Sequence, residues 1–396
     1  MVKSNIAVVS SVDCCGCRVC ADVCPKACIT FKVDKEGFFG PFVNEASCIN
    51  CGKCAKCCPA LNQKLNDKAS FAFSAVAKDK NVSNQASSGG IFPILALYFL
   101  NSGGKVYGAA FDSNLKLKHI GIDNKDDLGP LLRSKYVQSN CEGVYKSVIA
   151  DLRQGTKLLF CGTPCQCQAL KNSVSEPFQE QLLLVDFVCH GISNQAVFDA
   201  NLAWNRVRYG DVEEYIFRYK DKAKYHHFFY VKHKRNKVYE RVGVYYKDPY
   251  YYGYEKRFML RNSCYNCKWV GVNRCSDLTL ADFFGIEDLK VNLSNESVSC
   301  ILPNTEKGIQ ILSAIKKDLY GVHEFPIEVP TQKNECLRTT IKRPVLRDMF
   351  FEDWKDKGYD YVVDKYMRPK HAWIYDIYYF IPKKYRMWIR RMLKKI

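Results

Sequence analysis

No stretch of this 396-residue sequence reaches the roughly 18 to 20 uninterrupted apolar residues that a membrane-spanning helix needs. The best apolar run, Ile91–Leu100, is about half that length and reads as a buried helix. Met1–Ser10 carries one lysine and a short apolar run, with no long hydrophobic region and no small-residue cleavage site, so no export signal is expected. Acidic residues are in deficit, 41 Asp and Glu against 59 Lys and Arg, which leaves a formal charge of +18. No groove-reading motif accompanies that charge, so nucleic acid is not the expected partner. An acidic protein, an anionic membrane surface or an anionic coenzyme suits it better. The length allows two or three domains and a sizeable core.

Cysteine is the residue in excess, at 21. In a short exported chain that density would mean disulfides. Here the cysteines stand at metal-ligand spacing, and the expectation is a reducing cytoplasm with thiolates held by iron. Cys14, Cys17, Cys20 and Cys24 follow C-x2-C-x2-C-x3-C and are followed by Pro25; Cys48, Cys51, Cys54 and Cys58 repeat the pattern 34 residues later, before Pro59. Two x2 gaps let three thiolates of one loop wrap a cubane, and the fourth cysteine of each run ligates the other cluster in two-cluster ferredoxins. The expected sets are therefore Cys14, Cys17, Cys20 and Cys58 for one 4Fe-4S cluster, and Cys48, Cys51, Cys54 and Cys24 for the second. Zinc also takes four thiolates but favours two CxxC pairs across a longer insert. Cys15, Cys28 and Cys57 are surplus and read as packing residues. Residues 1–65 thus form a bacterial-ferredoxin-like domain. Three clusters of about −2 each would leave the loaded protein near +12.

Leu61–Ser70 is polar and reads as a linker. An α/β pattern follows, with strands expected at Phe71–Ala77, Lys105–Phe111, Lys157–Phe160 and Gln181–Cys189, and helices at Ile91–Leu100 and Val144–Arg153. That alternation predicts a mainly parallel sheet covered by helices, so the chain as a whole is of mixed α+β and α/β class. Tyr215, Phe217 and Tyr219, and then Phe229, Val231 and His233, alternate as antiparallel strands do. The unit spans 70–345, in parts of about 70–150 and 155–325. Residues 346–396 read as a basic aromatic tail. Its end, Lys383–Ile396, predicts an amphipathic helix with Tyr385, Trp388, Ile389, Met392, Leu393 and Ile396 on one face and seven basic residues on the other. Ser87-Ser88-Gly89-Gly90, at a helix start, suits a phosphate: glycine permits close backbone approach, hydroxyls donate, and the helix end favours an anion.

Several motifs in order give this sequence a resemblance. They are Ser87-Ser88-Gly89-Gly90-Ile91, Ser134-Lys135-Tyr136, Cys161-Gly162-Thr163-Pro164-Cys165-Gln166, Cys189-His190-Gly191, Cys264-Tyr265-Asn266-Cys267-Lys268, and Arg274 with Asp277 to Ile286. Over residues 1 to about 345 the chain resembles the coenzyme F-420 hydrogenase/dehydrogenase beta subunit family, in the form fused to a two-cluster ferredoxin module. The resemblance implies a flavoprotein that binds FAD and a third 4Fe-4S cluster. It also implies electron exchange between clusters and, in the hydrogenase subunits, the deazaflavin coenzyme F-420. For the third cluster, Cys264 and Cys267 can hold two corners. Cys165, after a Gly-Thr-Pro turn, and Cys189, at a strand end, would emerge at one carboxyl edge of a parallel sheet, where ligands bind. The family pattern favours these two over Cys161 and Cys167. Within the resemblance, Ser87, Ser88, Gly89 and Gly90 cradle the flavin phosphate, Lys135 neutralises it beside Ser134 and Tyr136, and Gly162, Thr163 and Pro164 are further lining. His190 could donate to a cluster sulfur or the flavin. Asp277 and Asp282 are expected to pair Arg274 or cap turns.

The expected function is an oxidoreductase that passes electrons between clusters and FAD and on to a two-electron acceptor such as F-420. The alternative is a non-catalytic carrier feeding a partner enzyme, for instance in polysaccharide biosynthesis. Expected partners are a redox protein (a ferredoxin or an oxidoreductase subunit) and a small hydride acceptor. The expected location is the cytoplasm, with peripheral contact at the inner membrane face through the tail. No catalytic residue is assigned.

Overall fold

The computed structural model describes residues 5–220, 228–235, 237–289, 291, 293, 297–381 and 385, apart from the side chains of 379 and 380. The chain starts as a small two-loop module with one hairpin, β1 (Ile29–Val33) and β2 (Phe39–Val43), paired antiparallel. The 34-residue repeat is visible in its backbone. Gly16 and Asn50 hold φ +66° and +50°, and Arg18 and Gly52 both hold φ +72°. Each of the latter caps a short helix, Val19–Asp22 or Lys53–Cys57. Left-handed residues at alternate positions turn a loop into a concavity suited to an anionic group, iron–sulfur clusters included.

The main sheet has eight strands. Five come first, β3 (Phe71–Ala77), β4 (Lys105–Phe111), β5 (Leu117–Ile122), β6 (Leu158–Gly162) and β7 (Leu182–Phe187). A separate antiparallel sheet of β8 (Asp211–Tyr219), β9 (Phe228–Lys234) and β10 (Val238–Val244) intervenes. The large sheet then gains β11 (Leu278–Asp282), β12 (Ser299–Pro303) and β13 (Leu319–Pro326). Its order is β13-β3-β12-β11-β7-β6-β4-β5. The centre, β11-β7-β6-β4, is parallel, and its strands read as near-continuous apolar runs because both faces are covered. The flanks are antiparallel. Strands from about 70–150 and from 155–325 therefore share one sheet, with β3 inserted between β13 and β12 and with β4 and β5 at the far edge. The helices Ile91–Asn101 and Val144–Arg153 form where their apolar spacing predicts.

Two expectations change. The polar segment after residue 60 does not swing free. Lys64 N–H donates to Gln168 at 3.0 Å, Asn66 N–H donates to the Arg274 carbonyl at 2.7 Å, and Lys171 donates to the Asn66 side chain at 2.7 Å. The chain past 345 does not begin as a tail. Helices Leu346–Lys357 and Tyr359–Tyr366 bury Phe350, Phe351, Val362, Val363 and Met367 in the main core. The Arg347 guanidinium, fully buried, donates 2.6 Å to Glu36 of the N-terminal module. Apolar burial outweighs the segment's charged composition because, Arg347 apart, its charged side chains are exposed or half-buried. The helix Ala372–Phe380 leaves Trp373, Ile374 and Ile377 exposed. The amphipathic helix expected over Lys383–Ile396 lies outside the described residues, Tyr385 apart. No helix among the described residues is long and apolar enough to cross a membrane.

The N-terminal module packs firmly on the sheet unit. Cys15, Cys17 and Val19 share an apolar cluster with Tyr145, Phe160 and Trp269. Asp22 accepts from the N–H groups of Gly143 and Tyr145 at 2.9 and 3.0 Å. Arg261 donates to the carbonyls of Cys14 and Phe39 at 3.0 and 2.7 Å.

Candidate functional site

Parallel strands deliver their carboxyl ends to one edge, and that edge carries the motifs. Strand β6 ends at Gly162 and runs into Thr163, whose side chain and that of Gln166 form a capping box on the helix Pro164–Ser173. Cys165 lies in the first turn, its Sγ 3.1 Å from the Thr163 hydroxyl. Its neighbour Cys15 and its burial push the Cys165 thiol well above its ordinary value. Strand β7, parallel neighbour of β6, leads through Val188 to Cys189. Cys264 lies on the short helix Asn262–Tyr265, and Cys267 follows it. Cys165, Cys264 and Cys267 all lie within electrostatic range of Cys189. Burial pushes the Cys189 thiol up, and the charges of Cys264, Cys165 and Cys267 push it further. Burial likewise raises Cys264 to about 12 and Cys267 to about 11, with Cys165 acting on both. Thiols so buried resist ionising unless a cationic centre neutralises them.

The N-terminal cysteines act on one another within and across the two expected sets, since Cys54 also acts on Cys20 and Cys58. Cys17 feels Cys20 and Cys58, Cys20 feels Cys14 and Cys58, and Cys58 feels Cys14. Cys24, Cys48, Cys51 and Cys54 line one small cleft. Among the described residues, no three His, Cys, Asp or Glu side chains close around a point as ligands of a single ion would. The surplus cysteines are better placed than packing alone requires. Cys28 stands 3.4 Å from Cys24 and lines the same cleft. The Cys15 thiol interacts with both Cys17 and Cys165, joining the module to the sheet edge. Cys57 is a packing residue facing the Asn172 carbonyl at 3.6 Å.

Beside the Cys165 group opens a cavity of about 430 Å³, within the roughly 300–1,000 Å³ range of small-molecule sites. Its wall includes Ser87, Ser88, Gly90, Ser134, Lys135, Tyr136, Gly162, Thr163, Cys165 and Cys189. Two expected lining residues stand outside it. Gly89 N–H donates to the Ser299 hydroxyl at 2.9 Å, and the Pro164 carbonyl accepts from Cys275 at 3.3 Å. Gly89 is required by contact: a Cβ there would lie 2.4 Å from the Ala75 carbonyl oxygen and 2.8 Å from Ser299 N. Gly89→Ala is expected to cost about 2 kcal/mol, since overpacking typically costs 1–3; a urea midpoint equal to wild type would refute this.

The cavity is cationic at one end. The Ser87 hydroxyl accepts from Ser134 N–H at 2.7 Å, binding two motifs together. Gly90 caps the helix Ile91–Asn101, whose start faces the same space. Lys135 donates to the Leu132 carbonyl at 2.6 Å and makes no ion pair among the described residues. Burial pushes its ammonium down to about 7, against the pull of Cys161. Arg133 is likewise without an ion pair, and its buried Nη1 lacks a hydrogen-bond partner. Sequence reasoning missed Arg133, Arg218 and His119. Arg218 projects from β8 at φ +55° and pairs with Asp282 at 2.5 Å while donating to the Ser87 carbonyl at 2.9 Å. The Tyr215-Phe217-Tyr219 alternation hides it, because a local left-handed turn leaves no sequence signal. His119 is stacked on Phe160, with Nε2 3.1 Å from the Cys161 carbonyl. Burial lowers its pKa to about 4, so it is neutral. His190 lines the cavity, its pKa lowered by burial and then by Arg257. Arg274 does not pair with Asp277 or Asp282. It pairs with Asp186 at 3.1 Å, while Asp277 accepts from Leu184 N–H and Thr305 at 2.8 Å each.

Residues 155–326 match the family model of the carboxyl-terminal part of the coenzyme F420 hydrogenase/dehydrogenase beta subunit. The chain is similar to the ferredoxin-type protein NapF of Haemophilus influenzae, 41% identical over 51 residues, which are 13% of this chain and 29% of that protein. It thus spans under a third of that relative's length. It also resembles a chain of the F420-reducing [NiFe] hydrogenase complex from Methanosarcina barkeri, solved in a xenon derivative. That match has 18% identity, covers 74% of this chain and 91% of the other, and has a TM-score of 0.45.

Proposed function

We propose, from the match of residues 155–326 to the carboxyl-terminal family model of the coenzyme F420 hydrogenase/dehydrogenase beta subunit, that this chain is an iron–sulfur flavoprotein oxidoreductase. In this reading it holds three 4Fe-4S clusters and FAD, and exchanges electrons with a two-electron acceptor such as F-420. The observation that carries it is the contiguity of Cys17, Cys15 and Cys165 with the cavity wall. Clusters transfer one electron at a time, and a flavin converts between single electrons and a hydride. The protein's part is to hold and orient. Cys14, Cys17, Cys20 and Cys58, then Cys24, Cys48, Cys51 and Cys54, would hold the N-terminal clusters, and Cys165, Cys189, Cys264 and Cys267 the third. The helix start at Gly90, with Arg133 and Lys135, would take the anionic phosphate of the flavin. Tyr136, stacked on Tyr254 at 4.3 Å, walls the cavity.

Purified anaerobically, the protein is expected to contain about twelve iron and twelve acid-labile sulfide per chain and to release FAD on acid treatment. About eight iron would remove the third cluster from the reading. FAD binding without reduction of F-420, nicotinamides or small acceptors would leave an electron-transfer subunit rather than an enzyme.

Lys135 supplies a pH test. It is protonated below about pH 7 and neutral above. FAD affinity is therefore expected to fall as pH rises past 7, by at most about tenfold per unit because one proton is linked. In Lys135→Met the affinity should be weak and flat with pH, as fluorescence titration would read. A wild-type affinity unchanged from pH 6 to 9 would count against this role.

A further inference from the structure

We propose that the surface around Cys51 is the docking site of an acidic one-electron carrier protein. This rests on the reading of Cys24, Cys48, Cys51 and Cys54 as cluster ligands. Of the 21 cysteines, all of them described, Cys51 alone is exposed. Beside it Ile49 is 58% exposed, and Pro25 and Asn50 are exposed too. Around this apolar centre stand Lys26, Lys53 and Lys56, all exposed and none in an ion pair among the described residues. Lys26 lines the cleft shared by the four cysteines. Lys53 and Lys56, with Lys64, act electrostatically on Cys57, so their charges bear on one side of the module. The loops 24–31 and 48–60 contain no acidic residue. The nearest acids in sequence are Asp22, two residues before Cys24 and buried, and Glu45, three residues before Cys48.

An apolar centre ringed by unpaired charge of one sign fits a small transient interface, in which charge steers encounter and sets rate. The sign selects the partner. A second copy of this chain would bring the same lysines against each other, and a basic carrier would be repelled likewise. Position selects the role. Cys51 belongs to the group furthest along the sequence of thiol contacts from the cavity, since Cys15 and Cys17 make the junction with Cys165. The step is simple in balance. The carrier's centre is oxidised by one electron and the Cys51 cluster is reduced by one, with no bond made and no proton moved. Two such steps and one proton from water supply a hydride.

The test uses the full-length loaded protein, an acidic plant-type 2Fe-2S ferredoxin as probe and basic cytochrome c as control. Binding is read by biosensor over a salt series, and cluster reduction by freeze-quench electron paramagnetic resonance with reduced ferredoxin or with dithionite. Wild type is expected to bind the ferredoxin in a salt-dependent way and cytochrome c hardly at all. The triple variant K26E/K53E/K56E is expected to bind at low salt about tenfold or more weakly, steering being worth 10–10³. Its reduction by dithionite should be unchanged. A triple variant that binds ferredoxin like wild type, or wild type that prefers cytochrome c, overturns the proposal. If the charge-reversed chain loses iron, K26Q/K53Q/K56Q serves, with a smaller loss expected; equal binding there also overturns it. Failure of dithionite to reduce wild type at all would instead defeat the cluster assignment, while the binding arm still judges the docking face.

Discussion

Replacing Cys189 with alanine is expected to lower iron from about twelve to about eight per chain and to stop electrons from the N-terminal clusters reaching the cavity. Cys189 is the member of its group on which the charges of the other three all act. A cubane that loses one of four thiolate ligands at a buried site has no water-rich surface from which to recruit another. The N-terminal groups are built from separate loops and should stay loaded. The discriminating measurement is therefore paired: iron and sulfide content, and the resonance of the remaining reduced clusters. Retention of twelve iron in Cys189→Ala would show that another thiol serves. Cys15 is the first candidate, since it already interacts with Cys165. Cys15→Ala in the same background would then release the iron.

The second large effect is expected at Arg274. Its side chain is 1% exposed and that of Asp186 is 0% exposed, so the pair is wholly buried. Arg274 also donates to the carbonyls of Trp269 at 2.7 Å and Phe187 at 3.2 Å. These contacts tie the segment after Cys267 to the end of β7 just before Cys189. Arg274→Met removes all of them and leaves Asp186 buried and unpaired, for which about 3–5 kcal/mol of stability is the expected cost. Removing both charges together should be far milder, because no uncompensated ion remains. The urea midpoints of Arg274→Met and of Arg274→Met with Asp186→Leu test this. Equal loss in both variants would mean that the guanidinium matters by packing and not by charge. Iron content should fall in the single variant as the two halves of the Cys165 group loosen.

Much of the fold was legible because it depends on local chemistry. Phe71–Ala77, Lys105–Phe111 and Val144–Arg153 form where apolar spacing predicts. Of the ten residues expected around a flavin, eight line the cavity. The other two, Gly89 and Pro164, are needed for backbone approach and for a carbonyl contact, roles that a motif cannot separate from ligand binding. The segment 346–367 was misjudged because its composition is charged and aromatic while its burial depends on Glu36, about 310 residues away. Pairing across such a separation leaves no periodic trace. The same holds for Arg274, whose carboxylate partner is chosen by strand order.

The cysteine loops show the division most clearly. Thiolate spacing, the turn glycines and the prolines lie within twelve-residue windows, so sequence alone determined that the first 65 residues carry the ligand pattern of a two-cluster ferredoxin. The contact of Cys15 with both Cys17 and Cys165 and the exposure of Cys51 were decided only by tertiary structure. They depend on which strands are neighbours and which surface is covered, and these follow from burying apolar area over the whole chain, not from any local preference.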